Sequence, residues 1–168
     1  MPITKQLSFT KPWCGFVDLN IGECRINGIS YINPWLLEDI ADFIDDIADK
    51  NHSASIMLDC EGFGMAYITC IESETFIINR HSELEHTIYD IDNLQDAINE
   101  LIASIEENKD AWVDWYDDEE TSHQDILTNI ENICNRMKLA AKRCNSYTNN
   151  PKEIAEIYLT IPPSELTK

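Results

Sequence analysis

Apolar residues recur at spacings of three and four along three segments of the chain, and this periodicity predicts three amphipathic helices. The first helix covers residues 34–50, with Asn33 as its N-cap and Pro34 at the first helical position. The second covers residues 94–107 and begins with a capping-box-like segment at 92–95. The third is long and follows Thr121 or Ser122. The predicted buried stripes are Leu36, Leu37, Ile40, Phe43, Ile44 and Ile47, then Leu94, Ala97, Ile98, Leu101, Ile102 and Ile105, then Ile126, Ile130, Ile133, Met137, Ala140 and Cys144.

Short runs rich in β-branched and aromatic residues predict strands in the first part of the chain. They cover residues 16–21, 23–26, 29–32, 55–60, 65–71, 75–79 and 87–91. Asn27-Gly28 favours a tight hairpin between the second and third of these runs, because both central residues of such a turn need positive φ. A last short helix begins at Asn150-Pro151 and ends before Pro162-Pro163.

This order of elements predicts an α+β fold, in which an antiparallel β-meander packs against three to four helices. We expect a single domain over residues 1–168, strand-rich in 1–91 except for the helix at 34–50, and helical in 92–161. The composition agrees with a globular chain, since 43% of the 168 residues are hydrophobic and 26% are charged.

The charge balance is unusual, because 12 Lys and Arg face 31 Asp and Glu and give a formal net charge of −19. Such a chain repels nucleic-acid phosphates and anionic lipids and attracts basic partners. No segment resembles a signal peptide and no apolar run is long enough to span a membrane, so we expect a cytoplasmic protein.

The six cysteines fall in apolar patterns, and in the cytoplasm we expect them to be reduced and to face the core. No C-x-x-C pair occurs, and the four histidines lie away from the cysteines, so no structural zinc and no other cofactor is expected.

The segment from Asp110 to Glu120 is the most unusual stretch, because it places two Trp and one Tyr among six carboxylates. Aromatic anchors ringed by acids are typical of a surface that captures a basic protein. The alternative is that Trp112 and Trp115 pack in the core while the acids are simply solvated. The candidate partner-binding residues of this segment are Asp110, Trp112, Asp114, Trp115, Tyr116, Asp117 and Asp118.

The first predicted helix carries a second acidic surface, which consists of Glu38, Asp42, Asp45 and Asp49. This strip could steer a basic partner towards the protein, or it could be an ordinary solvated face. A positive cluster on the long helix, which comprises Arg136, Lys138, Lys142 and Arg143, is expected to complement acidic segments within the molecule or in a dimer. No calcium-loop motif is present.

Candidate catalytic chemistry is confined to Asp59 and Glu61, which precede Gly62 at a strand end. Two carboxylates that leave a strand on the same side could hold a divalent ion. The Asp-x-Glu-Gly pattern resembles the first motif of DEDD-type 3′–5′ exonucleases, whose other motifs are missing here. A role in starting a turn is the simpler interpretation, and we predict that the protein is not an enzyme.

Small size, acidity and the order of elements resemble the immunity proteins of bacterial polymorphic-toxin and contact-dependent inhibition systems. The resemblance implies a protein that binds and blocks a cognate basic toxin, for example a nuclease, in the cytoplasm. Carboxylates could occupy the phosphate subsites of such a toxin. The alternatives are a nucleic-acid mimic of the anti-restriction or anti-CRISPR type, with a regular array of acids, and a structural adaptor.

Overall fold

The computed structural model describes residues 6–49, 53–71, 74–80 and 86–146, and this part of the chain has the predicted α+β architecture. Two short meanders are separated by one helix and followed by three more. The elements are β1 (Leu7–Phe9), β2 (Phe16–Ile21), β3 (Cys24–Ser30), α1 (Leu36–Ala48), β4 (Ser53–Cys60), β5 (Gly64–Ile71), β6 (Thr75–Arg80), β7 (Thr87–Asp90), α2 (Leu94–Glu106), α3 (Lys109–Trp115) and α4 (His123–Ser146). The predicted helix after Asn150 lies outside the described residues.

The strands form two antiparallel sheets rather than one meander, in the orders β1-β2-β3 and β4-β5-β6-β7. Helix α1 connects the two sheets and packs against β4 and α4, while α2 packs against β1 and α4. Alternating strand residues face this shared core, and so do the apolar stripes of the three predicted helices. Within the described segments, no helix has both the length and the apolar content that crossing a bilayer requires.

The predicted hairpin at Asn27-Gly28 is wrong, because these residues lie inside β3 as a β-bulge. The strands β2 and β3 are instead joined at Gly22-Glu23, where Ile21 pairs with Cys24. The register shifts by one residue along β3, and Gly28 adopts a φ of 71° while its N–H donates to Asp18 Oδ1 at 2.8 Å.

The physical reason for the bulge is the spacing of two core residues. Ile26 and Ile29 are three positions apart, so a regular strand would point them to opposite faces. The extra residue of the bulge places both side chains in the core.

The helix starts agree with the predicted caps in two of three cases. Asn93 accepts a hydrogen bond from the N–H of Asp96, and Ser122 accepts one from the N–H of Asp125. Asn33 does not cap α1, which begins two residues later than predicted, because its amide binds the backbone of Ser30 and Asp59. The side chain of Asn33 thus links the start of α1 to β4.

All six cysteines are free thiols in the structure. Cys60, Cys70 and Cys134 are buried, and burial raises the pKa of the Cys60 and Cys134 thiols to about 11. Cys14 is a correction to the predicted core-facing set, because it is exposed in the turn before β2.

Candidate functional site: an aromatic groove beside α3

The acidic and aromatic segment from Asp110 to Glu120 overlaps a short helix, α3, that the periodicity of the sequence does not predict. This helix holds Trp112 in the core with none of its side chain exposed. The indole of Trp112 meets Phe9 edge-on at 5.2 Å between ring centroids, and the Trp115 ring lies at 5.5 Å from it in a tilted arrangement. Trp112 is therefore a packing residue, and its assignment to a partner-binding surface is corrected.

Tyr116 is also committed to the fold. Its hydroxyl donates to Glu38 Oε2 at 2.9 Å and accepts from the N–H of Leu37 at 2.9 Å. It therefore satisfies a backbone N–H in the first turn of α1, which has no partner within the helix. Asn129 of α4 donates to the other Glu38 oxygen at 3.1 Å. Burial, and then the nearby Glu38 carboxylate, raise the pKa of Tyr116 well above its usual value. Tyr116 and Glu38 thus join α1 to α3 and α4 and do not form a free binding surface.

The acidic strip of α1 is paired within the molecule. Arg136 contacts both Asp42 and Asp45, and Arg143 contacts Asp45 and, at 3.7 Å, Asp49. These pairs join residues that lie in the same order along both helices, so α1 and α4 run side by side in the same direction. Glu38, Asp42, Asp45 and Asp49 therefore contribute to contacts between α1 and α4. Their predicted role in steering a basic partner stays a prediction. The predicted complementarity of the positive cluster within the molecule is confirmed for Arg136 and Arg143, and also for Lys138, which pairs with Glu106 of α2.

A groove of about 670 Å³ lies where α3 meets the loop between β1 and β2. We call it the aromatic groove. Its lining consists of Lys11, Pro12, Trp13, Cys14, Gly15, Tyr31, Ala111, Asp114, Trp115 and Asp117. Three segments that are distant in sequence thus bring three aromatic residues and two carboxylates to one cavity.

One wall of the aromatic groove is built on a tight turn. Trp13 and Phe16 exchange two backbone hydrogen bonds across Cys14-Gly15. Both turn residues have positive φ, 50° at Cys14 and 79° at Gly15, which is the backbone signature of a type I′ hairpin. The turn presents Trp13 to solvent with 77% of the residue exposed.

Tyr31 forms the adjacent part of the same wall, and Gly15 makes room for it. The Tyr31 N–H donates to the Gly15 carbonyl at 2.9 Å, and the Tyr31 ring lies across Gly15. A β-carbon at residue 15 would be only 2.8 Å from Cδ1 of that ring. The glycine is thus required both by its positive φ and by the close approach of Tyr31.

Exposed apolar side chains continue beyond the aromatic groove along the elements that form it. Phe16 follows the turn at Cys14-Gly15, and Ile32 and Trp35 follow Tyr31 on the connection to α1. Phe63, in the turn between β4 and β5, lies against Gly28 of the neighbouring sheet. Exposed apolar groups grouped in this way are typical of protein interaction surfaces.

The groove is electrostatically negative, since Asp114 and Asp117 line it with Lys11 as the counter-charge of the lining. Both aspartates are exposed. Asp117 has His123 at 3.6 Å, and Asp114 also borders a smaller cavity of about 330 Å³ that includes Lys11 and Asp110.

Asp118 lies just beyond the groove lining and organises the loop that leads to α4. Its carboxylate accepts hydrogen bonds from the N–H and the hydroxyl of Thr121, at 2.7 and 3.0 Å. These bonds lower the pKa of Asp118 and keep it charged. Asp118 therefore adds negative charge beside the groove but is committed to the loop.

Sequence reasoning found Asp114, Trp115 and Asp117 but missed Trp13 and Tyr31. Trp13 precedes a Cys-Gly pair that closes a hairpin. Tyr31 directly follows β3, which ends at Ser30, although the sequence placed Tyr31 inside a predicted strand over residues 29–32. Both aromatic residues lie next to strand ends, where loop side chains are readily exposed, and this is the feature that could have identified them.

Asp59 and Glu61, the candidate metal pair, lie at the end of β4 and in the turn that follows it. Glu61 lies in the turn after β4, and its carboxylate accepts a hydrogen bond from the Ser30 hydroxyl at 3.0 Å. No cluster of three potential metal ligands occurs among the residues that the structure describes. The Glu61 carboxylate thus links the turn after β4 to β3, and the backbone of Asp59 contacts the Asn33 side chain.

Comparison with protein-family models, with curated proteins and with solved structures finds no match to this chain.

Proposed function

We propose that this protein binds a basic protein through the aromatic groove and blocks it, as an immunity protein blocks its toxin. The observation that carries the proposal is the conjunction of exposed Trp13 and Tyr31 with Asp114 and Asp117 in one groove. Aromatic side chains supply most of the contact energy in protein interfaces, and the carboxylates select for Lys and Arg on the partner.

The internal pairing of the α1 strip favours this interpretation over a nucleic-acid mimic. A mimic needs a regular array of unpaired carboxylates, whereas Asp42, Asp45 and Asp49 share two internal arginines, Arg136 and Arg143, and so are not all unpaired. The negative charge at the aromatic groove, in contrast, surrounds exposed rings, which suits a protein surface better than a phosphate-binding one.

A growth assay tests the proposal. In bacteria that express the reading frame adjacent to the gene for this protein, we expect growth arrest that co-expression of this protein relieves. The variant Trp13→Ala/Tyr31→Ala should fail to relieve the arrest, while Ile88→Ala, which removes an equally exposed apolar side chain from β7, should relieve it fully. Relief by the double variant at the wild-type level would contradict the assignment of the groove.

A further inference from the structure

We infer that the aromatic groove recognises an arginine side chain of the partner, with the guanidinium group stacked on the aromatic wall and paired with Asp114 or Asp117. The inference rests on the proposed function and specifies the chemistry that the groove selects. Three properties of the groove support it: its aromatic walls, its charge and its size.

Two of the three aromatic residues of the groove, Trp115 and Tyr31, are positioned by contacts within the molecule, while Trp13 is mostly exposed. Trp115 packs against Trp112, which Phe9 fixes within the core. Tyr31 is held across Gly15 by contact with the turn and by its backbone hydrogen bond. Rings positioned in this way lose little freedom on binding, so stacking against them contributes more fully to affinity.

The charge of the lining selects a cation. Two exposed aspartates face the groove and Lys11 supplies one opposing charge, which leaves a negative balance around the rings. Cations positioned over the faces of Trp and Tyr are attracted by the ring quadrupole, and the nearby carboxylates add a direct ionic contact.

Aromatic side chains and carboxylates in the same groove favour arginine over lysine as the ligand. A guanidinium group is planar and weakly hydrated, so it can stack on an aromatic face and form two parallel hydrogen bonds with one carboxylate at the same time. The lysine ammonium is strongly hydrated and cannot do both. The volume of the groove, about 670 Å³, is typical of sites that bind small molecules. The groove can therefore accept the partner's backbone on either side of the arginine as well as its side chain.

The direct test is a titration with short blocked peptides, followed by NMR. The four tryptophans, Trp13, Trp35, Trp112 and Trp115, each give one indole N–H signal. We expect acetyl-Gly-Arg-Gly-amide to shift the Trp13 and Trp115 signals saturably, with a Kd of about 1 mM. The lysine peptide should bind at least about threefold more weakly, and the neutral citrulline peptide should cause no saturable shift.

Variants separate groove binding from general attraction to an acidic protein. Trp13→Ala should weaken the arginine peptide about threefold, and Asp114→Asn/Asp117→Asn about tenfold. The matched charge control is Asp46→Asn/Asp92→Asn, which removes the same charge from exposed positions outside the groove lining and should leave the affinity unchanged. Lys11→Gln should strengthen binding about twofold, because it removes the competing cation.

The outcomes distinguish the two proposals. If the growth assay succeeds but lysine and citrulline peptides bind as well as the arginine peptide, the arginine inference is overturned while the proposed function stands. If the arginine peptide binds as expected but the protein relieves no growth arrest, the groove chemistry stands and the inhibitory function is overturned. Equal weakening by the two double-aspartate variants would also overturn the arginine inference, because it would reduce the effect to net charge.

Discussion

Two acidic regions of this molecule look alike in sequence and differ in structure. On α1, Asp42, Asp45 and Asp49 face arginines of α4 and help to join two helices. At the end of α3, Asp114 and Asp117 border a groove whose other walls are aromatic and partly exposed. The two regions differ in their surroundings, because the α1 acids contact buried or half-buried arginines, whereas Asp114 and Asp117 are exposed beside aromatic side chains, with Lys11 in the lining and His123 near Asp117.

The largest loss of stability is expected from substituting an aromatic residue that is buried in the core rather than exposed at the groove. Trp112→Ala should lower the free energy of unfolding by about 3–5 kcal/mol, because it removes a fully buried indole from the contact with Phe9. Trp13→Ala should change it by less than about 0.5 kcal/mol, since Trp13 is mostly exposed. Urea unfolding of both variants measures the difference, and similar losses would contradict the division between core and groove.

The next effect tests the pairing of α1 with α4. Arg143→Met should cost about 1–2 kcal/mol of stability, because it leaves Asp45 without one of its cations in a half-buried setting. The control is Lys109→Met, which breaks the more exposed pair with Glu131 and should cost less than about 0.5 kcal/mol. Equal costs in thermal and urea unfolding would show that the α1–α4 pairs act as ordinary surface pairs.

A pH dependence follows from Tyr116, whose pKa is raised by burial and by Glu38. The folded state holds the phenol proton more tightly than the unfolded state, which releases it near pH 10. Stability should therefore fall as pH rises above about 10, and Tyr116→Phe should reduce this loss. At neutral pH the same variant should cost about 1 kcal/mol, because it removes the hydrogen bonds to Glu38 and Leu37. An alkaline stability profile identical in both proteins would exclude this role.

The smallest effect concerns Asp49, at the C-terminal end of α1. Desolvation raises its pKa, Arg143 lowers it and Asp45 and Asp46 raise it, so the net direction is upward. Its ionised form therefore costs stability at neutral pH. Because 42% of the Asp49 side chain is exposed, solvent screens this cost, and Asp49→Asn should stabilise the protein by no more than about a few tenths of a kcal/mol. The gain should vanish below about pH 4, where the carboxyl is protonated in the folded and unfolded states. A loss of stability at pH 7 would show that the contact with Arg143 dominates.

Periodicity predicted the three long helices because each of them buries one face, and the apolar residues of that face recur in the sequence at spacings of three and four. The local signal at Asn27-Gly28 gave the wrong hairpin, because the burial of Ile26 and Ile29 required a bulge there. Helix α3 was missed because its seven residues are too few for a helical period to stand out, and its stability comes from the packing of Trp112.

The site was harder to predict because its parts are distant in sequence. Asp114 and Trp115 were found from local composition, but Trp13 and Tyr31 join them only through the turn at Cys14-Gly15 and the packing of α3. The pairing of Asp45 with Arg136 likewise joins positions 91 residues apart. Such contacts depend on how elements pack, which no local pattern specifies.

A chemical-shift map of the whole chain during titration with the arginine peptide would locate the binding surface residue by residue. We predict saturable shifts at Trp13, Tyr31, Asp114 and Trp115, and no saturable shifts along the acidic strip of α1 from Glu38 to Asp49. Saturable shifts confined to that strip, with the aromatic groove unaffected, would contradict the central claim that the groove is the site that binds a basic partner.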